Sequence, residues 1–179
     1  MSSFQILPFQ SSHYHETLDI YGYYVHNSCI TFDLEVPTPL EWEQKLNTIA
    51  LKFPCLVCLI GETVVGFAYA SQLRQKKAYD WSVESTIYVH TDHQHKGIGK
   101  LLYAELFNRL EKLNYVNVFA CITLPNEGSI SLHKTFGFDE VGKFQHVGYK
   151  HNGWHSVLWM QKVIPKNKEN PNSILIHSY

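Results

Sequence analysis

A glycine-containing loop is the first feature of this sequence that suggests chemistry. Residues Gln94 to Gly99 read Gln-His-Lys-Gly-Ile-Gly, a Q-x-x-G-x-G pattern between a strand-like and a helix-like segment. Glycines at such a junction let the backbone turn its N–H groups inward at a helix N-terminus, where the helix dipole favours an anion. The loop is not a Walker A loop, because no G-K-[ST] ends it, and it lacks the dinucleotide fingerprint G-x-G-x-x-G. We therefore expect it to bind a phosphate or pyrophosphate, with an ordinary tight turn as the alternative.

Histidines and cysteines offer two further kinds of chemistry. The chain has 11 His, and His90, His93 and His95 in and beside the same loop could meet one metal ion, although no nearby acidic pair completes such a site. Cys55 and Cys58 form a C-x-x-C in an apolar run that lacks a second pair of ligands at zinc spacing. We therefore expect no metal site, and we interpret both cysteines as small buried hydrophobic residues.

The elements that must position the loop follow from hydrophobic periodicity. Alternation over residues 81–90 predicts a strand, and residues 116–122 predict a second one. Between them, an apolar stripe predicts an amphipathic helix directly after the loop. Residues 81–122 therefore predict a right-handed βαβ unit with parallel strands. The stripe consists of Ile98, Leu101, Leu102, Leu106, Leu110 and Leu113.

Other elements are predicted on both sides of this unit. Helical spacing covers residues 12–28, and a second helix begins at Thr38-Pro-Leu-Glu41, which supplies a capping Thr, a first-turn Pro and a reciprocal Glu. Because prolines disfavour helix at the residues before them, an irregular loop should connect the two helices. The remaining predictions are hairpin strands over 55–60 and 64–71, a short helix over 129–135, and strands over about 140–149 and 154–163.

Composition limits the class of protein. The 179 residues are 45% hydrophobic and carry a formal charge of -1, which predicts one compact domain and argues against nucleic-acid or acidic-membrane partners. Four scattered cysteines and the lack of a basic, then apolar, N-terminal stretch predict a reduced, cytoplasmic protein. We expect a domain over residues 1–164. Residues 165–179 are polar with a short apolar patch at 174–176, and we expect this C-terminal segment to be a tail or to make an edge contact.

Motifs downstream of the loop extend the pattern. Leu124-Pro-Asn126 ends the second strand of the unit, and His133 and then Gly137-Phe138 follow it. In this order and at these distances the motifs resemble the GCN5-related N-acetyltransferase (GNAT) family, and in more detail its phosphinothricin N-acetyltransferase group. The detailed resemblance covers residues 4 to about 163 and rests on four segments. These are Ser28 to Phe32, Pro37 to Trp42, Ala78 to Val89 and Lys150 to His155.

The resemblance implies a fold and an activity. The fold would be α/β (α+β), a single domain with a mixed central sheet of about six to seven strands flanked by about four helices. The activity would be acetyl transfer from acetyl-CoA to the amino group of a small amino-acid-like substrate, by direct attack in a ternary complex. Phosphinothricin, methionine sulfoximine, methionine sulfone or a related amino acid would be the acceptor. Similar enzymes are homodimers with the acceptor site near the interface.

The resemblance also implies where acetyl-CoA binds. The strand before the loop would pair with the pantetheine arm, and the loop would bind the pyrophosphate. Asn126 would hydrogen-bond the donor, although it could equally cap the helix that follows, and the two roles are compatible. The implied residues are Ile87, Tyr88, Val89, Gln94, His95, Lys96, Gly97, Ile98, Gly99, Lys100, Asn126, Ser129 and Ile130.

Two proton-transfer residues are implied in the same way. An α-ammonium group has a pKa of about 7.7 to 8.0, so a base that takes its proton assists attack on the thioester. Glu84 matches the carboxylate of the phosphinothricin group, the alternative being a polar residue on a solvated strand face. His133 stands where the wider family often has Tyr and where this group has His, and the direction of its proton transfer stays open.

The resemblance implies an acceptor site formed by segments that lie far apart in the sequence. A cation there could pair with a substrate carboxylate or phosphinate, although residues 74–77 could equally be a solvated hairpin tip. The implied residues, besides Glu84, are Thr31, Phe32, Arg74, Lys76 and Tyr79. Two other functions remain open on the sequence alone: acetylation of another amine, such as a protein N-terminus or a polyamine, and a non-catalytic module that only binds acyl-CoA.

Overall fold

The computed structural model of the chain describes residues 4–164 and 171–175. Its strands are β1 (Phe4–Pro8), β2 (Cys55–Ile60), β3 (Thr63–Gln72), β4 (Ser82–Val89), β5 (Asn117–Thr123), β6 (Asp139–Lys150) and β7 (Gly153–Val163). They form a seven-stranded sheet in the order β1-β2-β3-β4-β5-β7-β6. Neighbouring strands are antiparallel except β4 and β5, which are parallel as the βαβ prediction requires.

Helices cover both faces of the sheet. They are α1 (Tyr14–Asn27), α2 (Pro39–Ala50), α3 (Ile98–Lys112) and α4 (Glu127–Thr135). The implied mixed sheet of six to seven strands with about four helices is therefore confirmed. The predicted start of α2 is confirmed as well, because the Glu41 N–H donates to Thr38 Oγ1 and the Glu41 carboxylate accepts from the Thr38 N–H. No helix in the described residues is long and apolar enough to cross a membrane.

Two hydrophobic clusters hold the helices on the sheet. One face packs against α1 and α2 around the fully buried Trp42, and the other packs against α3 around Leu102 and Leu106. Burial of Cys55 and Cys58 in these clusters confirms that both are core residues. The predicted stripe of α3 is wrong at Leu101, whose side chain is 43% exposed. A residue next to Leu102 lies about 100° further round the helix, outside the buried face.

Sequence reasoning missed β1 and left open the end of the chain. β1 is short and pairs only with β2 in the described residues. At the other end, the Leu175 N–H donates to the Leu113 carbonyl and the Trp81 indole donates to the Asn172 carbonyl. Residues 171–175 therefore contact the chain just after α3 and just before β4. Residues 165–170 and 176–179 lie outside the described residues, and the division into a domain and a tail at residue 165 stays a prediction.

The parallel pair at the centre of the sheet is short. Ser82 to Glu84 pair with Asn117 to Phe119, and the two strands then separate although both continue. β4 remains paired with β3 from Val83 as far as Val89. A gap therefore opens in the sheet along residues 85–89 of β4, at the end where α3 begins.

Candidate active site

Two adjoining cavities occupy the gap between β4 and β5. The first, of about 220 Å³, is bordered by Glu84 and His133, and the second, of about 460 Å³, by the loop from Gln94 to Lys100. Ile87, Tyr88 and other residues line both cavities. The strand thus connects the candidate anion-binding loop with the two candidate proton-transfer residues.

The edge of β4 presents backbone groups to this gap. The His90 N–H donates to the Val65 carbonyl of β3, which places the N–H and C=O groups of alternate residues on the β3 side. By this alternation, the backbone groups of Ile87 and Val89 face the gap, whereas those of Tyr88 pair with β3. Of the three backbone positions implied by the resemblance, Ile87 and Val89 are therefore oriented for an extended ligand. Tyr88 also lines both cavities.

The loop ends in a turn that only a flexible residue adopts easily. Gly97, the N-cap of α3, has φ of 84°, in the left-handed region where a Cβ is unfavourable. No acidic residue stands in the first turn of α3, so its positive dipole end is not neutralised there. Gln94, His95, Gly97, Ile98, Gly99 and Lys100 line the second cavity. This geometry suits an anion, as the sequence predicts.

The N-terminus of α4 borders both cavities. The Asn126 side chain accepts a hydrogen bond from the Ser129 N–H, at 3.1 Å, which confirms the N-cap reading. Asn126 and Ser129 also line both cavities, so the capping role leaves them beside the gap. Ile130 instead packs against the core beneath α3.

Glu84 is a partly buried carboxylate in the first cavity. Burial raises its pKa, and the positive charge of Arg74 partly offsets this. The same cavity wall contains Cys121, where burial and the negative charge of Glu84 together raise the pKa of the thiol to about 12. Glu84 is therefore a stronger base than an exposed carboxylate, and the Cys121 thiol of this cavity is protonated at neutral pH.

His133 is held by hydrogen bonds at both ring nitrogens. Its Nδ1 lies 2.7 Å from the Ser129 carbonyl oxygen, which can only accept, so Nδ1 carries a proton. Its Nε2 lies 2.9 Å from the Tyr103 hydroxyl. Burial lowers the pKa of His133, and the hydrogen bond to Ser129 partly offsets this. In the neutral ring Nε2 is therefore an acceptor, and Tyr103 donates to it.

The connection between α1 and α2 forms the outer wall of the first cavity. The Tyr21 hydroxyl lies 2.8 Å from Thr31 Oγ1, and the buried Lys150 ammonium donates to the Thr31 carbonyl at 2.9 Å. Phe32 packs so closely on Gly148 that a Cβ there would lie 2.2 Å from its ring. Thr31 and Phe32 thus reach the cavity because residues far away in the sequence hold them there.

Some predicted site residues lie outside both cavities. The side chains that do not line either one are Arg74, Lys76, Tyr79, Lys96 and Ile130. The Arg74 guanidinium donates to the Leu73 carbonyl, and Lys96 donates to the Asp92 carbonyl within the loop. Their functional roles remain predictions.

The histidine-rich loop contains His90, His93 and His95, the residues considered as possible metal ligands. Among the described residues, no group of three His, Cys, Asp or Glu is arranged to hold a metal ion. His90 Nδ1 already accepts a hydrogen bond from the Asp92 N–H, at 3.2 Å.

Two tyrosines of the site were missed by sequence reasoning. Tyr103 lies on the buried face of α3 and Tyr24 on that of α1, where an aromatic residue predicts only a core position. Their hydroxyl groups nevertheless reach His133 and the loop, respectively. Such contacts between distant segments leave no periodic signal in the sequence.

Comparison with known proteins gives a consistent result. Residues 12–159 match the model of the Acetyltransferase (GNAT) domain. The phosphinothricin N-acetyltransferase of Streptomyces viridochromogenes is 40% identical over 144 residues, which cover 80% of this chain and 79% of that protein. The L-methionine sulfoximine/L-methionine sulfone acetyltransferase of Salmonella typhimurium is 30% identical over 146 residues, covering 80% and 84%.

A solved structure is similar over nearly the whole chain. It is a GNAT superfamily phosphinothricin acetyltransferase from Sinorhizobium meliloti in complex with AcCoA, with a TM-score of 0.91 and 30% identity. The alignment covers 96% of this chain and 94% of that one.

The contact between Tyr103 and His133 can be tested by titration. The Tyr103 hydroxyl donates to Nε2 only when the His133 ring is neutral, so this hydrogen bond favours the neutral ring. Because Tyr103→Phe removes the hydrogen bond, the pKa of His133 should rise. NMR titration of the imidazole, assigned by its absence in His133→Gln, measures this change. Tyr115→Phe removes a hydroxyl from another tyrosine of the same core and should leave the pKa of His133 unchanged. An unaltered His133 titration in Tyr103→Phe would contradict the hydrogen bond.

Proposed function

Because the chain belongs to the GNAT acetyltransferase family, we propose that its second cavity holds the donor and its first cavity the acceptor of an acetyl transfer. The protein is an acetyl-CoA-dependent N-acetyltransferase whose acceptor is a small amino-acid-like amine. The observation that carries the proposal is the edge of β4 that is not paired with β5. This edge runs from the loop proposed to bind an anion to the cavity of Glu84.

The second cavity fits the chemistry of acetyl-CoA. The loop and the positive end of α3 would hold the pyrophosphate. The backbone groups of Ile87 and the N–H of Val89 would pair with the amides of the pantetheine arm. Asn126 and Ser129 would lie beside the arm where the two cavities meet. Acetyl-CoA supplies an acetyl thioester, whose carbonyl carbon is the electrophile.

Glu84 acts as the base in this proposal. Conversion of an ammonium group to an amide removes two protons from nitrogen, and Glu84 takes the first to give the neutral amine. Burial raises the pKa of Glu84 and so makes it a stronger base than an exposed carboxylate. The neutral amine then attacks the thioester carbon directly, and Glu84 releases its proton to solvent after the reaction.

Tyr103 and His133 carry the second proton in this proposal. As the carbon–sulfur bond breaks, the proton left on nitrogen must reach the sulfur. The Tyr103 hydroxyl takes this proton from the nitrogen and passes its own proton to His133 Nε2. The protonated Nε2 then donates to the Tyr103 oxygen, so that the hydroxyl can donate into the cavity. The pair thereby returns the proton to the departing sulfur. The products are the N-acetyl compound, the CoA thiol and the one proton that Glu84 released.

The acceptor is proposed from the names of the relatives. We propose phosphinothricin, methionine sulfoximine, methionine sulfone or a related α-amino acid. Arg74, whose positive charge partly offsets the rise in the pKa of Glu84, would pair with the carboxylate of the acceptor. Thr31 and Phe32 would form the opposite wall.

A thiol-release assay with acetyl-CoA tests this proposal. The acceptors to compare are the four classes of amino acid just named, a peptide with a free N-terminus, and spermidine. We expect acetylation of the amino acids well above background hydrolysis. Transfer to the peptide or spermidine alone would identify another amine as the acceptor. Binding of CoA without transfer to any amine would identify a non-catalytic module.

Substitution of Glu84 separates chemistry from donor binding. Glu84→Gln should lower kcat/KM for the acceptor by roughly 100-fold or more, because the general base is lost, and should leave the Kd for CoA unchanged. In the wild type, kcat/KM should fall as pH falls through the raised pKa of Glu84, since only the carboxylate accepts a proton. Glu62→Gln, in the turn between β2 and β3, is the matched control. An equal loss of CoA affinity in Glu84→Gln would argue against the assigned role.

We also propose that the protein is a homodimer and works in the cytoplasm. Cytoplasmic location is proposed from the few, scattered cysteines. Support for the dimer comes from β6, a long edge strand that exposes apolar side chains, and from the start of β7. Several large exposed apolar side chains on an edge strand are typical of protein–protein interfaces. The exposed side chains include Val141, Phe144, Val147, Tyr149 and Trp154.

Light scattering during size-exclusion chromatography measures the assembly. Wild type should elute with twice the mass of the chain, and Phe144→Glu should give the monomer, because a charge replaces an apolar contact. Leu51→Glu, at an exposed apolar residue after α2, should remain dimeric. A monomeric wild type would contradict the proposed dimer without affecting the proposed acetyl transfer.

A further inference from the structure

Tyr24 of α1 contacts two separate parts of the second cavity. Its hydroxyl donates to the Val89 carbonyl at the end of β4, at 2.5 Å, and accepts from the Gln94 side-chain amide at the start of the loop, at 2.9 Å. Tyr24 itself lines the cavity beside both partners. One hydroxyl group thus connects the strand edge, the loop and a helix on the opposite side of the cavity.

The roles of donor and acceptor follow from chemistry. A hydroxyl has one proton, and the Val89 carbonyl can only accept, so that proton is committed to Val89. The Gln94 amide must then donate through Nε2, as the structure has it. Burial raises the pKa of Tyr24, which keeps the hydroxyl protonated and the arrangement intact.

The ring of Tyr24 is fixed as firmly as its hydroxyl. Its side chain is 6% exposed, and its centroid lies 5.2 Å from that of Tyr88 and 5.6 Å from that of Tyr23. A buried aromatic residue with two restricted torsions loses little entropy when it holds its partners. The position of the hydroxyl is therefore set before any ligand binds.

The two partners belong to different halves of the donor site. Val89 lies at the strand edge proposed for the pantetheine arm, and Gln94 begins the loop proposed for the pyrophosphate. Resting on that proposed function, we propose that Tyr24 is a positioning residue for acetyl-CoA, which fixes the loop relative to the edge of β4. Tyr24 takes no part in proton transfer, because its hydroxyl is directed to Val89 and Gln94 and lines only the donor cavity.

Tyr24→Phe removes the hydroxyl and keeps the ring. The loss of one net hydrogen bond changes an equilibrium constant by roughly a factor of 3 to 10, so the KM for acetyl-CoA and the Kd for CoA should rise by that factor. The kcat value and the KM for the acceptor should stay unchanged. Tyr23→Phe, one residue earlier and 48% exposed, is the matched control and should behave as wild type. A fall in kcat with an unchanged KM for acetyl-CoA would overturn the proposal.

A truncated donor separates positioning from general stabilisation. S-acetylpantetheine has the arm and thioester but lacks the pyrophosphate, so correct placement of the loop should not matter for it. Tyr24→Phe should therefore lower kcat/KM for acetyl-CoA but not for S-acetylpantetheine. An equal loss with both donors, or a loss explained by a lower Tm, would show that Tyr24 only supports the fold.

A double substitution tests the contact itself. In a Gln94→Leu background the hydroxyl has no loop partner to position, so Tyr24→Phe should weaken CoA binding by much less than in wild type. Additive losses would overturn the proposal. Absence of CoA binding in the wild type would instead contradict the proposed function, which keeps the two failures distinguishable.

Discussion

The separation of β4 from β5 after Glu84 is the constraint on which the site depends. Three residues of parallel pairing hold the two strands together, and beyond them the edge of β4 faces a gap. Backbone groups at such an edge require partners, because an unsatisfied buried polar group costs free energy. Tyr24 supplies one partner at Val89, and an extended ligand can supply others. The same gap brings the ends of α3 and α4 to its two sides.

Burial acts on the two proton-transfer candidates in opposite directions. It disfavours charge, so it raises the pKa of Glu84 and lowers the pKa of His133. The two values consequently move toward each other, although the ordinary values of a carboxylic acid and an imidazole lie on opposite sides of pH 5. A raised pKa makes the Glu84 carboxylate a stronger base, and a lowered pKa makes the protonated His133 ring a stronger acid. One physical cause, burial in a narrow cavity, thus changes both groups in the directions that their proposed roles require.

Local signals made much of the fold predictable from sequence. The capping residues at Thr38 and Asn126 and the glycine loop act within one turn of chain, and each was found where predicted. Periodicity predicted the buried face of α3 but placed Leu101 on it, since a stripe of leucines does not show where that face ends. β1 was missed because a five-residue strand is specified mainly by its pairing with β2.

The residues of the candidate site also differ in how far local sequence signals identify them. Most of the proposed donor-binding residues lie between Ile87 and Lys100, so a motif in one short segment identifies them. The proposed acceptor wall is assembled across the chain: Thr31 is held by Lys150, and Phe32 rests on Gly148. Its shape therefore depends on contacts between the α1–α2 connection and β6, which no spacing rule encodes. The sequence therefore reveals the proposed donor site more readily than the proposed acceptor wall, because only the donor residues lie mostly within one segment of the chain.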